Sequence, residues 1–293
     1  MILTVFSAGL LYTFSQPSMR ETVLAAHDEV DPLPEVEVPI IPGHFFDQEL
    51  FSSAMSQLKT ESAADHIYGG VIPHHLVASP LIADFFQKIQ TQEVTKIILI
   101  GPNHYERGDY PVLSAFADWE TPFGVLKIDQ AAYRQLGQLS FVGQNHKVLE
   151  NEHSISGILP FIKYFLPDVK ILPLIVKQHL SFEERKRLFE QLAPMIDDST
   201  VIVASVDFSH YLSVPESFEK DEETIKAIES NNFEQILSMN SDYMDSPESI
   251  VILGQLMKTN EKTPKVLNHS NAGEITGNFS VPTTSYFELA FYE

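Results

Sequence analysis

Three apolar runs of the chain end in a segment that contains a histidine. His74 follows the run in GGVIPHHL, His104 ends IILIGPNH, and His210 comes near the end of VIVASVDFSHY. A neutral imidazole is a good ligand for a divalent transition metal, and near neutral pH it can also take up or release a proton. A single loop histidine more often has a surface or capping role, but the repeated position of these three predicts a shared site.

A carboxylate and a fourth histidine accompany them. Asp207 comes three residues before His210, and an Asp beside a His can orient the imidazole and raise its pKa, as a general acid or base requires. In the alternative interpretation Asp207 caps the helix that follows the strand. Glu152 and His153 open a helical stretch. In one interpretation Glu152 complements the positive N-terminus of the helix and His153 has a role in the core. In the other, both residues belong to the site.

Glu274 is the last candidate, in the Gly-, Asn- and Ser-rich segment NHSNAGEITGNFS near the C-terminus. A carboxylate from this loop would complete a set of two histidines and one carboxylate, which leaves open coordination positions on Fe(II). The histidines in polar or linker contexts are interpreted as surface residues: His27, His44, His66, His146 and His179.

Composition limits the chemistry and the partners. The 293 residues include 19 Lys and Arg against 40 Asp and Glu, a net charge of −21, which disfavours nucleic acid and anionic membranes as partners. The chain has no Cys, so disulfides, Cys-based zinc sites and a Cys nucleophile are excluded. A transition-metal site must therefore use His, carboxylate and water.

The elements that would position these residues follow a strand-helix-strand pattern. Apolar spacing predicts a helix over Gln48 to Ala64, and Gly69-Gly70 is expected to break it before a strand in VIPHH. Ser79 to Ile89 has a Ser cap, a Pro in the first turn and helical periodicity, and TKIILIGPNH then indicates a strand. This is a βαβ unit, with a parallel sheet and a right-handed crossover.

A second unit repeats the pattern, with a strand at Val169 to Val176, a helix at Ser181 to Ile196 and a strand at Val201 to His210. The predicted class is therefore α/β. Two insertions remain: Ala117 to Asp129, where a Thr-Pro-Phe-Gly turn separates two short strands, and Glu216 to Asn260, which is mainly helical. Because ligands bind beyond the carboxyl ends of parallel strands, the candidate histidines are expected to converge there.

The N-terminal segment differs in composition from the rest of the chain. Residues 1–20 begin with the apolar run MILTVFSAGLLYTF, which is either an export or anchor segment or a strand or helix of the domain. Residues 21–45 are acidic and proline-rich and predict a linker, and residues 46–293 are predicted to form the main domain. This order slightly favours a tethered or exported protein over a cytoplasmic one.

Six motifs, in order, resemble the Memo family, whose prokaryotic members are called AmmeMemoRadiSam system protein B. They are IPHH, IILIGPNH, WETPFGVLKID, NEHSISGILPFIKYFLPDVKILPLIV, VIVASVDFSHY and the terminal SNAGEITGNF with TTSY. The resemblance runs from about Ile72 to the C-terminus. It implies an αβα sandwich around a mainly parallel central sheet, similar to class III extradiol ring-cleavage dioxygenases.

The resemblance also implies a redox-metal site. Its ligands would be His74, His104 and a third group within Asn271 to Thr276, where animal Memo proteins have a Cys and the dioxygenase relatives a Glu. Glu274 is the acidic side chain of that segment, so the implied metal is Fe(II), with copper or zinc as alternatives. His75 stands where the family usually has a small residue, so it is an alternate ligand or a hydrogen-bond donor to the site.

By analogy, His210 would be the acid or base, oriented by Asp207, and His153 would hydrogen-bond bound substrate or oxygen. The leading hypothesis is an iron-dependent, dioxygenase-like oxidoreductase that acts on a small molecule. The alternatives are a non-catalytic metal- or ligand-binding protein that works with a radical SAM partner, and a metal-assisted hydrolase in which His210 activates bound water.

Overall fold

A twelve-stranded sheet runs through the part of the chain that the computed structural model describes, residues 34–59 and 65–293. The strands are β1 (Ile40–Pro42), β2 (Gly69–Ile72), β3 (Lys96–Pro102), β4 (Val112–Ser114), β5 (Asp118–Thr121), β6 (Gly124–Ile128), β7 (Val142–Gln144), β8 (Lys170–Val176), β9 (Thr200–Ser205), β10 (His210–Leu212), β11 (Thr263–Asn271) and β12 (Thr283–Tyr292).

Helices cover both faces of this sheet. They are α1 (Gln48–Gln57), α2 (Ser79–Ile89), α3 (Gln130–Leu136), α4 (His146–Glu150), α5 (His153–Ser156), α6 (Leu159–Phe165), α7 (Phe182–Leu192), α8 (Val214–Glu229), α9 (Phe233–Leu237), α10 (Pro247–Thr259) and α11 (Ala272–Thr276), with 3-10 turns at Leu76–Ala78 and Ala193–Met195. The predicted α/β class is confirmed.

The centre of the sheet is parallel, in the order β6-β8-β3-β9-β2. β12 runs antiparallel beside β2 and is flanked by β10 and β11, while β1 and β5 extend the opposite edge. Since β3, β9 and β2 are parallel neighbours, their carboxyl ends lie side by side at one edge. The segments that follow these strands therefore share a location.

Each central strand contributes side chains to two hydrophobic cores, one on each face of the sheet. Ile98 and Ile100 of β3 belong to one core, with side chains of α3, α7 and α10, whereas Ile97 and Leu99 belong to the other, with side chains of α1, α2 and α6. Alternate residues of a strand point to opposite faces, so a strand covered on both faces needs a continuous apolar run. This explains the sequence IILI.

Helix α2 has the predicted bounds, and α1 begins at the predicted Gln48 but ends at Gln57; residues 60–64 lie outside the described part. The glycine pair Gly69-Gly70, predicted to separate helix α1 from a strand at Val71, instead lies within β2. A Cβ on Gly70 would lie 2.1 Å from Cε2 of Phe85. Glycine thus allows α2 to approach the sheet closely.

The predicted pair of short strands is confirmed as β5 and β6, which meet at Thr121↔Gly124. The helix predicted from Ser181 instead spans Phe182–Leu192, capped by Ser181 and followed by a 3-10 turn. The single helical stretch predicted after His153 is divided into α5 and α6, since the chain turns at Gly157 before Pro160 opens the next helix.

Part of the predicted 21–45 linker is structured. Its residues 40–42 form β1, which pairs in parallel with β5, and the backbone of Val36 makes two hydrogen bonds with the side-chain amide of Gln130. The predicted 1–20 segment lies outside the described residues. In the described ranges, no helix combines the length and apolarity needed to cross a membrane.

Candidate metal centre

Three histidines meet beyond the carboxyl ends of the parallel strands. His74 follows β2, His104 follows β3, and His153 begins α5. The ring centroid of His74 lies 5.0 Å from the centroid of each of the other two rings. The rings of His104 and His153 are stacked, with their centroids 4.2 Å apart. One ring nitrogen from each lies within 4.8 Å of the others, a spacing that could hold a metal ion.

Asp245 adds a carboxylate to this cluster, and the sequence analysis did not identify it. It lies between α9 and α10, and its backbone N–H donates to the carbonyl of Asp207. Its Oδ2 is 3.1 Å from Nε2 of His74 and 3.4 Å from Nε2 of His104. Neither contact has hydrogen-bond geometry, so both Asp245 oxygens are buried without a hydrogen bond.

Glu152 orients His104 from the opposite side. Its Oε1 is 2.7 Å from Nδ1 of His104, its Oε2 accepts the His104 backbone N–H, and its Oε1 also accepts the N–H of Ser154. Both interpretations of Glu152 therefore hold, because it caps α5 and contacts the site. An Nδ1–H donated to Glu152 leaves Nε2 of His104 available as a ligand, an arrangement typical of metal-binding histidines.

Asp207 orients the segment that follows β2. Its Oδ1 accepts the backbone N–H groups of His74 and His75, and its Oδ2 is 3.5 Å from Nε2 of His74. The described hydrogen bonds include none between Asp207 and His210, so the predicted orienting contact does not form. Asp207 directly follows β9 and faces the neighbouring β2, whereas His210 has turned away into β10, where it pairs with Thr284.

The surrounding carboxylates control the pKa values of the imidazoles. Burial would lower the pKa of His104, but the nearby carboxylates of Asp245 and Glu152 raise it to about 10. The pKa of His74 is also raised, because Asp207 and Asp245 outweigh burial. Burial and the two neighbouring imidazoles lower the pKa of His153 to about 4. The pKa of the Asp245 carboxyl is lowered, since the two histidines outweigh its burial.

These features fit a divalent cation. Without a metal, protons on His74 and His104 are needed to balance the buried Asp245, and a cation could replace those protons. The two Asp245 oxygens without hydrogen bonds are the kind of buried polar group that a ligand or ion satisfies. Imidazole and carboxylate donors suit iron, zinc and copper.

A cavity of about 880 Å³ opens from the three histidines and Asp245. His75 and His210 are in its wall, and so is the exposed His179, which the sequence analysis placed on the surface. Nδ1 of His75 is 2.5 Å from the hydroxyl of the buried Tyr286, whereas Nδ1 of His210 is buried without a hydrogen bond.

The structure does not bring Glu274 into this cluster. Glu274 is exposed on α11, where its carboxylate accepts a hydrogen bond from Ser270, and it does not line the cavity. Asn271 caps α11 by accepting the Glu274 N–H, so the predicted loop is a helical turn that directs Glu274 outward. His153 and Asp245 lie beside His74 and His104 instead.

Known proteins resemble the whole of this domain. MEMO1 family proteins of Caldivirga maquilingensis, Aquifex aeolicus and Thermoplasma acidophilum are 25%, 27% and 27% identical to the chain. The alignments cover 81%, 87% and 83% of this chain and 88%, 99% and 94% of those proteins. An uncharacterised Escherichia coli K12 protein of known structure aligns with a TM-score of 0.48 and 11% identity, over 76% of this chain and 99% of that one.

The description of the Memo-like protein family matches residues 47–287, which include each member of the histidine and carboxylate cluster. This match extends over most of the chain and agrees with the order of motifs seen in the sequence. The chain belongs to the Memo family.

Proposed function

We propose that the protein binds a transition metal through His74, His104 and His153, with Asp245 beside them, and that it is a dioxygenase-like oxidoreductase. The observation that carries the proposal is the convergence of three imidazoles on a buried carboxylate that has no hydrogen bond. Iron(II) is the proposed metal, and zinc and copper are the alternatives, because the donors are nitrogen and oxygen atoms only.

The residues around the cluster prepare it for a metal. Glu152 holds His104 with Nε2 directed toward Asp245, and Ser205 Oγ lies 3.2 Å from Nδ1 of His74 and orients that ring in the same way. His153 is neutral at pH 7 because its pKa is lowered, so no proton has to leave before it can bind a metal. Because the Glu152 carboxylate can only accept, its contact favours the His104 tautomer with a proton on Nδ1, which leaves Nε2 free for a metal.

A bound Fe(II) would supply one-electron chemistry with O₂, and a set of three or four protein donors leaves positions open for small molecules. The cavity gives a substrate of moderate size access to the cluster. His210 lies in the cavity wall, and its buried Nδ1 has no hydrogen bond, so we assign it the transfer of protons to and from a substrate.

Metal analysis tests the centre. Protein purified without oxygen should contain about one metal ion per chain, and His104→Ala should lower the metal affinity by tenfold or more because it removes a ligand. His146→Ala, on the separate helix α4, is the matched control and should keep the metal. Equal metal content in the two variants, measured by elemental analysis with circular dichroism to confirm folding, would refute the ligand assignment.

Oxygen uptake tests the reaction class. Iron-loaded protein should consume O₂ in the presence of a catechol, and His210→Gln should slow this uptake while keeping the metal, because proton transfer is lost. An iron-loaded protein that consumes no O₂ with a broad set of catechols would contradict the dioxygenase-like part of the proposal. The metal centre would then stand by itself.

A further inference from the structure

The wall of the cavity beside the metal cluster has an unusual charge pattern. Among the described residues that line it, the acidic groups are the carboxylates of Asp207 and Asp245, and the basic groups are imidazoles, because no Lys or Arg is present. The outer wall instead consists largely of uncharged polar side chains, which include Gln178, Ser241 and Thr284. An anionic group on a ligand would therefore meet no ammonium or guanidinium group in this wall.

Two basic side chains adjoin residues of the wall, and each has a partner within the chain. The guanidinium of Arg107 lies 4.7 Å above the ring of Tyr105, and Nζ of Lys177 donates a hydrogen bond to the carbonyl of Gly108. Glu106 adds a negative charge beside the wall residue Gln178, since its carboxylate accepts the backbone N–H of that residue. Neither Arg107 nor Lys177 is among the residues that line the cavity.

The helix end that faces the cavity does not supply a positive charge either. α10 begins at Pro247, and its positive N-terminal end would favour an anion. Asp245 already places a carboxylate next to this end, and Oγ of Ser246 accepts the N–H of Ser249. The favourable position for an anion at this helix is thus occupied by groups of the chain itself.

We infer that the cavity accepts uncharged or cationic organic ligands and discriminates against ligands that carry a carboxylate or phosphate. This inference rests on the proposed function, because a divalent metal and two carboxylates together leave the inner cavity close to neutral. An anionic substituent placed away from the metal would lose hydration without gaining a Lys or Arg counter-charge. A hydroxyl or amine could instead pair with the uncharged polar wall or with the carboxylates.

Binding of three matched probes tests the inference. Zinc-loaded protein, which cannot carry out redox chemistry, is titrated with catechol, 3,4-dihydroxybenzoate and dopamine by calorimetry. The measurement is made at pH 8, where histidines with an ordinary pKa near 6.5 are neutral. Catechol and dopamine should bind about tenfold or more tightly than 3,4-dihydroxybenzoate, because the probes share a metal-binding end and differ in the charge of the other end.

A charge inserted into the wall provides the second arm. Gln178 is exposed and lines the cavity, so Gln178→Lys should strengthen the binding of 3,4-dihydroxybenzoate by about tenfold with little change for catechol. Gln178→Met has a similar length without the charge, and it should bind all three probes as the wild type does. These two results together would support the inference.

Three outcomes would contradict it in distinguishable ways. Equal or tighter binding of 3,4-dihydroxybenzoate by the wild type would overturn the charge selectivity alone. Weaker binding of 3,4-dihydroxybenzoate that Gln178→Lys does not improve would also overturn it, because the cause of the weaker binding would then not be electrostatic. Protein that takes up no zinc, or zinc-loaded protein that binds none of the probes, would overturn the proposed function and the inference with it.

Discussion

Glu288 offers the sharpest test of the electrostatics inside this fold. It lies on β12 with its side chain fully buried, where its Oε2 accepts a hydrogen bond from Asn268 and its Oε1 is 3.3 Å from Nζ of Lys88. Burial and the nearby Asp84 raise the pKa of the Glu288 carboxyl from 4.5 to about 8, although Lys88 opposes them. The folded protein therefore holds a proton that the unfolded chain releases.

The sign and size of the effect follow from this difference. Between pH 4.5 and 8 the folded state binds one proton more than the unfolded state, so the free energy of unfolding falls as the pH rises. The contribution is fully present below pH 4.5 and is lost as the pH passes about 8. Each unit of difference between the folded and unfolded pKa values is worth about 1.4 kcal/mol, so the free energy of unfolding falls by about 3 to 5 kcal/mol in total.

Glu288→Gln keeps the shape of the side chain and removes its ionisation. We expect it to change the free energy of unfolding by less than about 1 kcal/mol at pH 5 and to stabilise the protein by about 3 kcal/mol or more at pH 9. Urea unfolding of metal-free protein, followed by far-UV circular dichroism from pH 5 to 9, gives the difference between variant and wild type at each pH.

Glu222→Gln is the matched control. Glu222 is an exposed carboxylate on α8 whose side chain is 76% accessible, so its difference curve should remain within about 0.5 kcal/mol at every pH. The difference in free energy of unfolding between Glu288→Gln and the wild type could instead stay constant with pH, or the wild type could gain stability relative to the variant as the pH rises. Such a result would show that Glu288 is ionised and paired with Lys88. Either result would refute the reasoning.

Two further predictions concern stability. Gly70→Ala places a Cβ against the ring of Phe85 and should lower the free energy of unfolding by about 1 to 3 kcal/mol, whereas Gly137→Ala, whose Cβ would have ordinary contacts, should change it by less than about 1 kcal/mol. Arg185 makes two hydrogen bonds of 2.7 and 2.8 Å to the buried Glu248, so Arg185→Ala should cost about 3 to 5 kcal/mol. Urea unfolding measures both, and a loss below 1 kcal/mol for either variant would contradict its explanation.

Most of the fold could be predicted from local patterns. The continuous apolar runs indicate strands covered on both faces, and the helical spacing between them indicates parallel crossovers. The rule that ligands bind at the carboxyl ends of parallel strands then brings His74 and His104 together, although neither residue is near the other in sequence. The sequence does not distinguish a glycine that leaves room for a neighbouring ring from one that interrupts a strand, and Gly70 is of the first kind.

The remaining members of the site depend on tertiary structure. Asp245 precedes a helix, where an acidic residue normally indicates a favourable charge at the N-terminus, and in the structure its backbone hydrogen bond to Asp207 holds it beside His74. Glu274 has the side chain expected of a third ligand, but the Asn271 cap turns it outward. The family resemblance pointed to the segments of His74, His104 and His153, which lie together in the structure, but not to the segment of Asp245.

The order of the central strands also has a consequence for how the centre forms during folding. Its parts are distributed along the chain from His74 to Asp245, and β9 lies between β2 and β3 although it comes later in sequence. Contacts of this kind close long loops, which makes parallel sheets slow to form. A nascent chain would bring the centre together only after Asp245 has been synthesised and β9 has paired with both neighbours. Capture of a metal by the complete cluster would therefore come late in folding, which would limit exposure of a partly folded chain to a reactive metal.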